Sequence, residues 1–557
     1  MPVSRLITLA LIAVLAIPLP LSARPPAAAI ASAHPLATQA GHEILAAGGN
    51  AFDAAVAISA VLAVVEPASS GLGGGGFWLL YRARDGYRTM IDGREMAPAA
   101  AQSDMYQDEK GQVIPGLSID GPLAAGIPGT PAALVHLAEK YGRLPLKRSL
   151  TPAIRLAREG FAIGDHYHRL AGFRLAALRR SPAASAIFLD QDEIPAKDSV
   201  IYQRDLAQTL ERLAAQGADG FYRGEVARKL VNGIRQAGGI WTLDDLANYK
   251  VVEREPVQGH YGNFDIISAA PPSSGGIALI TMLNILGQYH LDQLDSATRK
   301  HVIIEAMRRA YRDRAEYLGD PDFVDIPVAR LVSPVYAAGL AASIRLDRAT
   351  PSELLPGYPT GKKAADTTHF SVLDRDGNRV AATMSVNYPF GSAFVPPGTG
   401  VLLNDEMDDF SSKPGVPNVY GLIGDTANAI APGKRPLSSM TPTFLESPQK
   451  VAILGTPGGS RIITMVLLAT LDFAADRPPD DWVRLPRFHH QFLPDIVTYE
   501  PDALSTEEQN ALEQLGHRLK ASSRLYGNMQ AILWDKGKNR VFAASDPRGE
   551  GLAEVRR

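Results

Sequence analysis

The sequence predicts an α+β fold in which helices pack outside two stacked sheets. Three observations carry the prediction. Blocks of period-two apolar residues alternate along the chain with long blocks that read as helix. One period-two block, from Phe370 to Met384, reads as a complete β-hairpin. No Ser/Gly/Pro-rich linker, repeat or low-complexity block interrupts residues 31–548, so one interlocked body is expected although 557 residues would suffice for several domains.

Composition narrows the class. The chain is 46% hydrophobic and 21% charged, ordinary for a soluble globular protein. A net charge of −3 gives no footprint for nucleic acid. The densest basic run, Arg308-Arg309 with Arg312 and Arg314, is interleaved with Glu305, Asp313 and Glu316 and reads as a salt-bridged helix. The absence of cysteine excludes disulfides, thiolate zinc sites and cysteine nucleophiles.

The elements follow in order. Arg5 precedes an apolar run, Leu6 to Ile17, that Pro18 ends. The run is too short to span a bilayer and suits a signal peptide, residues 1–29, cut after Ala23 or Ala29. Ala27-Ala28-Ala29 fits the small-residue rule better. Export to a periplasmic or extracellular location is therefore expected, with no stable membrane span. Pro35 opens a helix that Gly48-Gly49 ends, and a second helix runs from Ala51 to Val65. The second is apolar almost all round but too short to cross a membrane, so it reads as a buried core helix. Ser69 to Gly76 lacks the Gly-Lys-Ser/Thr of a phosphate loop and reads as a tight turn before a strand, Phe77 to Tyr81. Arg94, in Asp92-Gly93-Arg94-Glu95, is on residue statistics a surface arginine.

Residues 129–360 read as mostly helical. The chain has no Gly-x-Ser-x-Gly elbow and no His-Glu-x-x-His zinc motif. His489-His490 is no ligand pair, because adjacent strand side chains point opposite ways. In the hairpin, Phe370, Val372, Val380, Ala382 and Met384 share one face, and Arg375-Asp376-Gly377 fits a three-residue loop. Counting outward from that loop sets Thr367 opposite Ser385, with Asn387 two places along on the same face. The acid run Asp405 to Asp409 reads as a solvated loop on charge alone. A strand from Val451 to Leu454 leads through Gly455-Thr456-Pro457-Gly458-Gly459-Ser460-Arg461 to a helix starting at Ile462, where free N–H groups would face an anion.

Asp366-Thr367-Thr368-His369-Phe370-Ser371, followed by this hairpin, resembles the processing site of γ-glutamyltransferases (γ-glutamyltranspeptidases), members of the N-terminal-nucleophile hydrolases. The resemblance extends from about residue 31 to residue 548. It implies a four-layer αββα sandwich and a precursor that cuts itself before Thr367, giving a large piece, 30–366, and a small catalytic piece, 367–557. A freed α-amino group has a pKa of roughly 7.7–8.0 and can serve as base to its own hydroxyl, so no histidine–aspartate triad is needed. The resemblance further implies that Thr367 is the nucleophile, that Ser385 orients it, and that the N–H groups of Gly458 and Gly459 form the oxyanion hole. Arg94, Ser438 and Ser439 would hold a donor's α-carboxylate; Asn387, Glu406 and Asp409 its ammonium; and Tyr420 would cover the pocket. Relatives more often have threonine at the position of Ser385, and bacterial relatives often have glutamine at that of Glu406. Donors would be glutathione and other γ-glutamyl compounds, and acceptors water, amino acids or peptides. No cofactor or metal is implied. A cephalosporin or glutaryl acylase of the same superfamily, or a catalytically silent binding protein on this scaffold, are the rival readings.

Overall fold

The structure, a computed structural model, describes residues 24–355, 367–413 and 415–557. The apolar run Leu6 to Ile17 and the segment holding Ala365-Asp366 lie outside the described residues.

In chain order, the strands of the two large sheets are β1 (Ala28–Ser32), β2 (Gly75–Arg82), β3 (Tyr87–Gly93), β4 (Val252–Arg254), β5 (Val257–Tyr261), β6 (Phe264–Ser268), β7 (Thr368–Leu373), β8 (Arg379–Ser385), β9 (Thr443–Glu446), β10 (Lys450–Gly455), β11 (Gln530–Asp535), β12 (Arg540–Ser545) and β13 (Leu552–Arg556). The first sheet has the order β13-β1-β7-β8-β2-β3-β4 and the second β12-β11-β10-β9-β6-β5. Every seam in both is antiparallel.

The pleat produces the layers, because successive side chains leave a strand on opposite faces. Phe370, Val372, Val380, Ala382 and Met384 all enter one core, which they share with helices α1 (Pro35–Ala46) and α2 (Ala51–Val65). The alternate residues Leu373 and Ala381 enter the other core, with β9, β10 and β11 and with helices α3 (Gly275–Leu286), α4 (Ser296–Tyr317) and α5 (Ile462–Ala474). The result is helix, sheet, sheet, helix: the αββα sandwich. Between the sheets, Ser371 Oγ donates to the carbonyls of Ile453 (3.3 Å) and Gln530 (3.1 Å). His369 bonds Thr383 Oγ1 at 2.8 Å, and burial lowers its pKa to about 3, so it is a neutral structural group.

All residues of α2 are buried, as its apolar pattern predicts. Asn50 Oδ1 accepts from the N–H groups of Phe52 and Asp53, and Asp53 Oδ2 accepts from that of Asn50, a reciprocal cap that starts the helix. No helix among the described residues is long and apolar enough to cross a membrane.

Two expectations need correction. The block 129–360 is mostly helix but contains β4, β5 and β6. Their alternation is short and broken by Glu253, Arg254 and His260, which face partly outward at the edges of both sheets. The basic run does lie on a salt-bridged helix, with Arg308 and Arg309 on Glu305 at 3.1 and 2.6 Å and Arg312 on Asp313 at 2.9 Å. That face is buried, however, because α4 packs into the second core.

Candidate active site

The β7–β8 register pairs Leu373 with Arg379 and Thr368 with Met384, which sets Thr367 opposite Ser385. Their hydroxyl oxygens are 3.3 Å apart and both residues are buried. Thr368 Oγ1 donates to Glu66 Oε2 at 2.6 Å, tying the start of β7 to the end of α2. The glycine run before β2 makes room here. A Cβ on Gly74 would lie 2.1 Å from the Ser385 carbonyl oxygen, so only glycine lets that backbone approach.

Asn387 is not a continuation of the strand face. It takes a left-handed conformation (φ 78°), which turns the chain away after Ser385. Its N–H donates to Ser385 Oγ at 2.8 Å and its Nδ2 to the Asp405 carbonyl at 3.0 Å. Its Oδ1 accepts from the Tyr420 hydroxyl, so the segment carrying Tyr420 is latched over the hairpin end.

Arg94 is buried rather than a surface arginine, because three carboxylates surround it. Its Nη1 lies 2.5 Å from Glu406 Oε2 and 3.3 Å from Glu95 Oε2, and its Nη2 lies 2.6 Å from Asp409 Oδ2. Burial would lower its pKa, but Glu406, Glu95 and Asp409 together outweigh that and raise it. Its Nε donates to the Pro436 carbonyl at 3.2 Å, which fixes the turn leading to Ser438 and Ser439.

The acid run is likewise buried, not a solvated loop. Asp405 and Glu406 are pushed well above the usual carboxylate range by burial, with Arg174 and Arg94 respectively opposing. Among the described residues both Glu406 carboxylate oxygens lack a hydrogen-bond donor, since the short Arg94 contact is an ion pair without hydrogen-bond alignment. Asp409 accepts from Asn418 Nδ2 at 3.2 Å, and Asp408 from Ser118 Oγ at 2.6 Å and the Val419 N–H at 2.8 Å. Burial raises Asp408 to about 6.

After β10, Gly458 and Gly459 both have positive φ and lead through a short 3-10 turn into α5. Among the described residues their N–H groups have no acceptor, and they sit at a helix start where an anion is favoured.

One pocket, with about 310 Å³ of empty space including its mouth, gathers these groups. Thr367, Ser385, Asn387, Arg94, Glu406, Asp409, Tyr420, Ser438, Ser439 and Gly459 all line it; Gly458 does not. Two nearby groups had no sequence signal as site residues. Glu95 has no pattern of its own in the sequence, and burial lifts its pKa to about 7 against the pull of Arg94. Arg314, which also lines the pocket, was hidden in the charge pattern of α4. His301, Glu305 and His517 place possible metal-ligand atoms within 4.8 Å of one another, but away from this pocket lining. Glu305 there is taken by Arg308 and Arg309, and His301 Nδ1 bonds His517 Nε2 at 2.7 Å, so a dication would meet two guanidiniums and an occupied donor set.

Residues 37–555 match the family model described as gamma-glutamyltranspeptidase. The chain belongs to the γ-glutamyltranspeptidase family. Family relatives include the glutathione hydrolase proenzyme of Pseudomonas sp. (strain A14), 44% identical over 94% of this chain and 93% of its own. That of Escherichia coli (strain K12) is 42% identical over 93% of this chain and 90% of its own. Among solved structures, a cephalosporin acylase from Bacillus halodurans superimposes with a TM-score of 0.83 at 26% identity, covering 98% of this chain and 99% of that one. The Helicobacter pylori gamma-glutamyltranspeptidase matches with a TM-score of 0.57 at 41% identity, covering 58% of this chain and 94% of that one. The acylase shares the sandwich, whereas sequence identity is higher to the transpeptidase.

Proposed function

We propose that this transpeptidase-family chain is an exported, self-processing γ-glutamyltransferase and glutathione hydrolase. Cutting between Asp366 and Thr367 gives Thr367 a free α-amine that takes the proton from its own hydroxyl. Oγ1 then attacks the γ-carbonyl of glutathione, the Cys-Gly amine leaves with a proton, and a γ-glutamyl-Thr367 ester remains. Water, an amino acid or a peptide amine attacks that ester and restores the hydroxyl. Ser385 orients Oγ1, and the Gly458 and Gly459 N–H groups stabilise the tetrahedral oxyanion. Arg94, Ser438 and Ser439 take the donor's α-carboxylate. Asn387, Glu406 and Asp409 take its ammonium beneath Tyr420.

The observation that carries this reading is Glu406. It is a buried carboxylate with no hydrogen-bond donor among the described residues, in the same pocket as the Thr367–Ser385 pair. An α-ammonium supplies that donor, and a glutaryl side chain does not. Two pieces, about 24–366 and 367–557, fit the proenzyme names of the relatives and the Helicobacter pylori chain that spans 58% of this one. Of the two signal-peptide cuts, the one after Ala23 is preferred. Cutting after Ala29 would strip Ala28 and Ala29 from β1, where they pair with Arg556, Val555 and Leu373.

The test is to incubate purified protein with γ-glutamyl-p-nitroanilide, with and without a dipeptide acceptor, and to sequence its N-termini. Nitroaniline release and a fragment beginning Thr367-Thr368-His369 are expected, while Thr367→Ala should give one inactive, uncut chain. An active enzyme with no such fragment refutes the mechanism.

A further inference from the structure

Arg314 stands in the last turn of α4 and is only 5% exposed. Its neighbours on that helix have carboxylate partners; it has none within 4 Å among the described residues. Its Nε donates to Ser274 Oγ at 3.0 Å and its Nη2 to Ser439 Oγ at 3.3 Å, while Nη1 has no hydrogen-bond partner among the described residues. Ser274 in turn donates to the Ser438 carbonyl at 2.7 Å, so Arg314 is joined to both serines of the turn. A buried cation held only by hydroxyls is poorly compensated. Burial accordingly pulls the Arg314 pKa down to about 10, and the more distant Tyr311 and Asp409 only partly oppose it. The pocket therefore contains two guanidiniums in opposite states. Arg94 touches three acids, and Arg314 touches none.

We propose that Arg314 is a second cationic contact for the α-carboxylate of the donor and a determinant of specificity for it. The proposal rests on the γ-glutamyl reading above. A carboxylate received by the hydroxyls of Ser438 and Ser439 arrives beside the Arg314 guanidinium and supplies the counter-charge it lacks. Arg94 alone cannot present a free two-pronged face, because Nη1 and Nη2 already lie against Glu406 and Asp409. With Arg314 included, the two ends of the zwitterion are matched separately: Asn387, Glu406 and Asp409 for the ammonium, and Arg94, Arg314 and the serine pair for the carboxylate.

The experiment compares two donors on Arg314→Gln. γ-Glutamyl-p-nitroanilide has the carboxylate; 4-aminobutyryl-p-nitroanilide keeps the ammonium and the reacting carbonyl but lacks it. kcat/KM on the first should fall about tenfold or more, chiefly through KM, and on the second by less than about threefold. Equal loss on both donors makes Arg314 a structural residue and overturns the proposal. Should Arg314→Gln not mature into two pieces, Arg314→Lys decides by the same ratio. Lysine keeps the charge but not the planar fork, so the preference for the carboxylate donor should shrink by about threefold or more; an unchanged preference overturns the proposal. Inactivity of the wild-type protein toward γ-glutamyl-p-nitroanilide would instead strike the underlying reading.

Discussion

Asp409→Asn tests the proposed contact between Asp409 and the donor's ammonium. The substitution keeps size, turns one of the two acceptor oxygens that face Arg94 and Asn418 into a donor, and removes one charge. Asp409 sits 2.6 Å from Arg94, with its side chain 13% exposed, so the carboxylate is largely desolvated. Breaking a buried ion pair costs about 3–5 kcal/mol. The partial exposure of Asp409 and the remaining acid Glu406 put the expected loss near the lower end, about 3 kcal/mol, or roughly 200-fold in kcat/KM on γ-glutamyl-p-nitroanilide. Glutaryl-p-nitroanilide has the carboxylate and no ammonium. Its rate should change by less than about fivefold and could rise, because Arg94 loses one of its three counter-charges and becomes freer for the donor carboxylate. Initial rates on both donors, with a gel to verify maturation, decide the matter. Equal loss on the two donors with the cut intact would refute the assignment of Asp409 to the ammonium.

Ser385→Ala should lower kcat by about tenfold with KM little changed, since its hydroxyl faces that of Thr367, the proposed nucleophile; a raised KM at constant kcat would assign it to the donor. Asp408, lifted by burial to about 6 from an ordinary value near 3.8, binds more protons folded than unfolded between those values. Its contribution to stability is therefore fully present below about pH 4 and is lost as pH rises through about 6. Thermal melts across pH 4–7 should show a steeper decline for the wild type than for Asp408→Asn, and parallel curves would contradict the raised pKa.

The hairpin was legible because its face is fixed by five apolar residues at period two and its loop by Arg375-Asp376-Gly377. The opposition of Thr367 and Ser385 followed by counting alone. α2 was legible for a similar reason, as its apolar content leaves no solvent face. Arg94 was not, because statistics for single residues place arginine outside. Its three partners come from position 95 and from an acid run more than 300 residues away. No local pattern can report a neutralisation that only the fold brings together. Arg314 was hidden by the opposite error. Its acidic neighbours along α4 suggested partners, but they pair with other arginines. The turn at Asn387 was missed because strand alternation was extended past the point where the backbone leaves the sheet.

The order of the first sheet has a consequence for the history of the molecule. β1 comes from the N-terminal side of residue 367 yet lies between β13 and β7, both from the C-terminal side, and β8 meets β2 across another such boundary. If the chain is cut before Thr367 as proposed, the two pieces are threaded through one another like interlaced fingers. Dilution cannot part them, since separation would demand tearing central ladders and opening both cores. Dissociation should thus share its barrier with global unfolding, and the midpoint of denaturation of the nicked protein should not depend on concentration so long as the halves unfold together without reaching reversible equilibrium. Halves synthesised apart would face the harder problem of inserting a strand into the middle of an existing sheet. The proposed break would therefore free the Thr367 amine without surrendering the sheets that hold Thr367 against Ser385.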